Sequence, residues 1–290
     1  MMELRQISVV GMGLLGASIS LAVSRLSGGS RTTGYSHRAS TRQKARELGV
    51  ADEIFDDVCE SVSEADLVIL ATPVQTFESI FHKIAGNLKE GCIVTDVGST
   101  KVMPHRWAQR HLGKNIHYVG SHPIAGSEKR GVEFARDDLF VGSRCILTKK
   151  KNTNSKALSI LRRFWVELGC SVSVMDPAMH DRILGRVSHL PHIAAAALLN
   201  ASDIKELKYC GKGFIDTSRV ASGPANIWTD IFITNADNTT RAIDKMVSEL
   251  LKLRKAIKTN NQAQIQRLLK KARQRRKTMI THKIRNRELL

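Results

Sequence analysis

Short strand-like runs at residues 7–10, 31–35, 67–71, 92–96, 116–120 and 143–148 alternate with helical or turn-rich stretches. That rhythm predicts strands linked by helices, hence a mostly parallel, doubly wound α/β sheet. A helix over Ser155 to Leu168 and a strand over Ser171 to Val174 follow, and Asp176-Pro177 then punctuates the chain. The domain boundary is expected there, giving units of 1–175 and 176–290. Beyond it the period changes. Ala194 to Leu199, and Arg241 to Ile257 with Ile243, Met246, Val247, Leu250, Leu251 and Ile257 on one stripe, read as helices. The second domain is expected to be all-helical.

With 290 residues and 42% hydrophobic content, the chain is long enough to bury cores in two domains of ordinary size. Its five cysteines are far apart, without a C-x-x-C pair, which fits a reduced compartment and supplies no metal site. The N-terminus enters a strand-like run almost at once, with no basic leader and cleavage site, and no apolar run approaches the roughly 20 residues of a membrane span. A cytoplasmic protein without a membrane partner is expected. The formal charge of +18 raises nucleic acid as a partner, but much of it is terminal: residues 270–290 hold nine Lys or Arg and one acid. Without a recognised binding motif or aromatic stacking pattern, a solvated basic helix is the expectation, and specific nucleic-acid binding is not.

Gly11-Met12-Gly13-Leu14-Leu15-Gly16 follows the strand-like Ile7 to Val10 and leads into a helical stretch. This gives G-x-G-x-x-G its required strand–turn–helix setting. The glycines admit a tight turn and a close backbone approach to pyrophosphate, and the helix N-terminus attracts the phosphates. A Rossmann-like domain is expected, with Thr72-Pro73 after a later strand as a second cofactor contact. At the end of the second strand stand Ser36, His37 and Arg38 where an acid usually binds the ribose hydroxyls. A small hydroxyl beside a guanidinium suits a 2′-phosphate, so NADP is expected, with NAD as the alternative.

Four further segments carry chemistry. They are Asp96 to Lys101 (DVGSTK), Ser121 to Glu128 (SHPIAGSE), Ser188 to His192 (SHLPH) and Gly213 to Ala221 (GFIDTSRVA), with Trp228-Thr229-Asp230 beyond. A neutral imidazole at His122 can accept a proton near neutral pH, although an isolated buried histidine is more often a satisfied core residue. In this order the motifs make the chain resemble the prephenate/arogenate dehydrogenase family of tyrosine biosynthesis, from about Val9 to Arg273. The resemblance implies oxidative decarboxylation of a cyclohexadienyl ring. Hydride passes to nicotinamide, carbon dioxide leaves and the ring becomes aromatic.

By the same resemblance His122 accepts the ring-hydroxyl proton, with Ser99 orienting that region, and His189 and His192 line the space between nicotinamide and substrate. Arg219 clamps a substrate carboxylate and Asp216 orients it. Glu128 organises the polar entrance and Trp228 walls the pocket, while no metal is called for. The helical domain dimerises and completes the cleft, and the length leaves no room for a regulatory ACT domain or a fused chorismate mutase. Prephenate is the expected substrate and arogenate the alternative. A β-hydroxyacid dehydrogenase would share the two-domain plan but lacks the paired histidine and arginine motifs. A dinucleotide sensor or nucleic-acid binder using the basic tail is the rival from another class.

Overall fold

A computed structural model describes residues 4–26, 29–125 and 129–285. Compact units span residues 1–239 and 240–290. Among the described residues of the first, strands β1 (Gln6–Val10), β2 (Arg31–Tyr35), β3 (Glu53–Phe55), β4 (Leu67–Leu70), β5 (Ile93–Asp96) and β6 (His117–Tyr118) form one parallel sheet in the order β3-β2-β1-β4-β5-β6. This is the doubly wound dinucleotide-binding order, with its switch point between β1 and β4.

Period-2 alternation divides the core. Ile7, Val9, Leu67, Ile69 and Ile93 face one layer, which includes α1 (Leu14–Ser24) and α2 (Ala39–Glu47). Val10, Val68, Leu70 and Val94 face α3 (Val58–Val62), α4 (Phe77–Ile84) and α5 (Val102–His111) on the other. Both faces are covered, which is why these strands read as near-continuous apolar runs.

The expected strand over 116–120 is two strands. β6 ends at Tyr118, and β7 (Gly120–Ile124) starts a second sheet, β7-β8-β9, with β8 (Arg144–Thr148) antiparallel to β7 and parallel to β9 (Ser171–Met175). The run at 143–148 therefore lies outside the main sheet. Gly120 lets the chain leave, because a Cβ there would lie 2.5 Å from Thr148 Oγ1 and 2.9 Å from Lys101 Cδ. β3 was not anticipated, being three residues with an acid; Asp52 anchors its start by accepting from the N–H and hydroxyl of Thr32 at 2.7 and 2.9 Å.

α6 (Ser155–Glu167) packs against the second sheet, and Asp176 caps α7 (Pro177–Leu184) by accepting from Ala178 N at 2.7 Å. A π-helical turn, Gly185–His189, then runs into α8 (Leu190–Asn200). Next come α9 (Lys212–Ser218), a 3-10 turn over Arg219–Ser222 and α10 (Ala225–Thr234). α11 (Ala236–Lys258) and α12 (Gln262–Arg285) supply the helices of residues 240–290. From residue 176 the described chain is helical, as its periodicity predicts.

Candidate active site

The glycine turn sits where β1 ends. Gly11 adopts φ +112°, and a Cβ on it would lie 2.7 Å from the Ala71 backbone at the end of β4. A Cβ on Gly16 would lie 1.9 Å from Gly11 O, whereas one on Gly13 would meet nothing within 4 Å. Gly11 and Gly16 thus close the turn and pack the helix on it, and Gly13 leaves open room for a ligand. α1 begins without a capping side chain and without an acid in its first turn, so its N–H groups and positive end suit a pyrophosphate.

A cavity of about 640 Å³ opens beside this turn. Gly13, Leu14 and Leu15 line it from α1, Thr72 and Pro73 from the end of β4, and Ser99 from the loop after β5. Arg219 and Trp228 line it from the helical segments. The crevice lies at the switch point between β1 and β4, where Gly13 and the uncapped start of α1 would hold the pyrophosphate of a dinucleotide. His192 stacks on Trp228 with ring centroids 3.7 Å apart and planes within 15°, and His189 meets the same indole edge-on at 6.3 Å. Burial pushes His189 down to about 4 and lowers His192. His189 Nε2 and His192 Nδ1 are buried without a hydrogen-bond partner among the described residues.

His122, on β7, is buried, and its Nδ1 lies 2.8 Å from His180 Nε2. His180 Nδ1 in turn lies 2.8 Å from Asp181 Oδ1. Asp181 Oδ1 accepts from Lys101 N and its Oδ2 from Val102 N, each at 2.8 Å, so the carboxylate meets His180 as an acceptor. It follows that His180 donates from Nδ1 and accepts at Nε2, and His122 donates from Nδ1. The lone pair of His122 is then on Nε2, ready to take a proton. Burial first, and then His180, Lys101 and His189, hold His122 well below the ordinary histidine value. Burial pushes His180 down to about 2. Asn235 Nδ2 donates to Asp181 O at 2.8 Å and lies 3.2 Å from His189 Nδ1, joining this relay to the second histidine motif.

His180, Asp181 and Asn235 carry no motif of their own in the sequence reading. The signal available was the pair His180-Asp181 on an amphipathic helix that Asp176 caps and Pro177 begins.

His122, His189 and His192 do not themselves line the cavity; His189 and His192 reach it through Trp228, and other candidates are placed further from its wall. Asp216 is exposed on α9, one turn before Arg219. Ser36 is buried at the end of β2, while His37 and Arg38 are exposed. Arg42 holds that turn, donating from Nη1 to the carbonyls of Ser36 at 2.7 Å and His37 at 3.1 Å, and from Nε to Asp56. Glu128, with Gly126 and Ser127 of the same motif, lies outside the described residues.

Nicotinamide dinucleotides bind where such a sheet reverses its strand order, and His189 and His192, packed on Trp228 of the crevice wall, are held below the ordinary histidine value. That is the plan of a dinucleotide-dependent dehydrogenase. Its family follows from two matching models, the nucleotide-binding domain of prephenate dehydrogenase over residues 19–174 and the dimerization domain of prephenate dehydrogenase over 176–271.

The chain belongs to the prephenate/arogenate dehydrogenase family and is an NAD(P)-dependent oxidoreductase. It is similar to the cyclohexadienyl dehydrogenase of Zymomonas mobilis, 32% identical over 87% of this chain and 88% of that one. Its fold superposes on prephenate dehydrogenase of Aquifex aeolicus, solved with hydroxyphenyl propionate and NAD+, with TM-score 0.87, 34% identity and coverage of 95% and 98%. Arogenate dehydrogenase of Synechocystis gives TM-score 0.82, 30% identity and coverage of 94% and 99%.

Proposed function

We propose that this chain converts prephenate to 4-hydroxyphenylpyruvate by oxidative decarboxylation in tyrosine biosynthesis. The observation that carries this reading is the His122–His180–Asp181 relay, which leaves His122 Nε2 as an acceptor for the ring-hydroxyl proton. Ser99 lines the cavity where it can orient that hydroxyl, and Arg219 reaches the same cavity from the turn after α9 to bind a carboxylate in two-point fashion. Asp216, one turn earlier, is assigned to orienting Arg219, and Glu128 to the entrance. When bound, the nicotinamide would accept the hydride of the hydroxyl-bearing carbon. His122 would take the hydroxyl proton as that carbon becomes a carbonyl, the electron pair of the breaking ring–carboxylate bond would aromatise the ring as carbon dioxide departs, and the resulting phenolate oxygen would take the proton back from His122.

Arogenate is the second reading, favoured by the similarity to the Synechocystis enzyme. For the cofactor, Ser36 and Arg38, without an acid at the end of β2, support NADP over NAD. The functional division falls at 175/176, between the cofactor-binding and helical domains. A homodimer is supported by the matched dimerization model and by the exposed Val247, Leu250, Leu251 and Ile257 along α11. No described helix is long and apolar enough to cross a membrane. The five free cysteines favour a cytoplasmic location.

The test is one matrix, prephenate or arogenate with NADP+ or NAD+, followed by reduced-cofactor absorbance. The highest kcat/KM is expected for prephenate with NADP+. A strong preference for NAD+ removes the role given to Ser36 and Arg38, and turnover of neither substrate removes the reaction.

A further inference from the structure

The motif Asp96 to Lys101 contains more than Ser99. Lys101 and Asp96 are fully buried and form an ion pair within the first unit. Such a pair is costly to desolvate, so it contributes little net stability.

Asp96 Oδ1 accepts from Tyr118 OH at 2.8 Å and from Ser121 N, the residue before His122, at 3.3 Å. Asp96 Oδ2 accepts from Gly98 N, the residue before Ser99, at 2.9 Å. Lys101 donates its own main-chain N–H to Asp181 Oδ1, the far end of the relay. Its side-chain stem passes so close to Gly120 that a Cβ there would lie 2.9 Å from Lys101 Cδ, which brings the cation under the start of β7. Ser121 is fixed as well by Thr95 Oγ1 at 2.6 Å and by Trp165 Nε1 at 3.1 Å.

We propose that Lys101 is a positioning residue for the proton-accepting histidine: paired with Asp96, which holds Ser121 N, and bonded through its own main chain to Asp181, it fixes both ends of the relay. Among the described residues, the titratable groups facing His122 are His180, Lys101, His189 and, from β8, Cys145, whose thiol meets the His122 main chain. Those grouped around Lys101 are Asp96, Tyr118, His105, His180 and Asp181. The ammonium's effect on His122 and His180 runs in the direction that the burial of each already sets. This role rests on the assignment of His122 as the base.

The decisive variant is the neutral pair Lys101→Met with Asp96→Asn, which leaves no unpaired charge in the core. Its readouts are the titration of His122 by histidine-selective 15N NMR, assigned by its loss in His122→Asn, and the pH profiles of kcat and kcat/KM. The proton affinity of His122 is expected to rise. The acid limb of both profiles moves to higher pH with it, with a smaller change in KM. Lys101→Met alone, which leaves Asp96 unpaired, should shift His122 further in the same direction. A folded variant of either kind with an unmoved His122 titration, or with kcat lowered equally at all pH, overturns the proposal and makes the pair purely structural. The NMR titration needs no turnover, so a wild-type chain inactive on prephenate would refute the proposed reaction without deciding this point.

Discussion

At His122 a single hydrogen bond decides which nitrogen is the base. With Nδ1 committed to His180, replacement of His122 by Asn removes the proton acceptor and keeps a polar side chain of similar reach. A fall in kcat of about 10²–10⁴ with little change in KM is expected in steady-state assays. Arg219→Ala should instead raise KM for the ring substrate, and an unchanged KM removes Arg219 from the carboxylate site.

The sequence made His122 conspicuous through its motif, yet the two residues that set its tautomer were silent. His180 and Asp181 become functional only when α7 lies beside β7, a contact between residues 58 positions apart that no local pattern encodes. Lys101 was visible inside a motif, but its burial was not, because charged residues are almost always exposed.

Among elements, the glycine turn was the most legible because its demands are local: a positive φ at Gly11 and no room for a Cβ at Gly16 follow from one strand meeting one helix. Gly16→Ala forces backbone to shift and should lower stability by roughly 1–3 kcal/mol. It should also raise KM for the dinucleotide more than for the ring substrate, read from denaturant melts and initial rates. Legibility failed at β6 and β7. One apolar run covers both, and the break at Gly120 is imposed by Lys101 and Thr148 arriving from elsewhere in the chain. The π-helical turn was equally hidden; Gly185 at its start lies so near Asn238 that a Cβ there would come within 3.2 Å of the Asn238 Cβ, a closeness that no local pattern encodes.

For the whole molecule, acid sensitivity follows from the buried histidines. Burial leads the depression of His105 to about 3, His180 to about 2 and His122 well below 6.5, whereas each takes up a proton near 6.5 when unfolded. The unfolded chain therefore binds more protons below 6.5. Stability is fully present above that pH and is lost as pH falls toward the depressed values, by about 1.4 kcal/mol per pH unit for each histidine. Melting temperature should be flat from pH 7 to 8 and fall steadily below pH 6.5, with a shallower slope in His105→Gln. The exposed apolar stripe on α11 bears on assembly: Leu250→Glu with Leu251→Glu should convert a dimer to monomers in analytical ultracentrifugation, and an unchanged sedimentation coefficient places the interface elsewhere.

The stack of His192 on Trp228 also makes the enzyme its own optical reporter. Of the three tryptophans, Trp107 and Trp165 are buried in the core, and Trp228 faces the cavity. An imidazolium quenches indole emission far more than neutral imidazole does, and burial holds His192 below its ordinary value. Emission at pH 7 should therefore be bright, dim only in acid below pH 6.5, and respond when a ligand displaces water from the indole face. Trp228→Phe should abolish that response while leaving the core emission in place, giving a binding assay that needs neither turnover nor label.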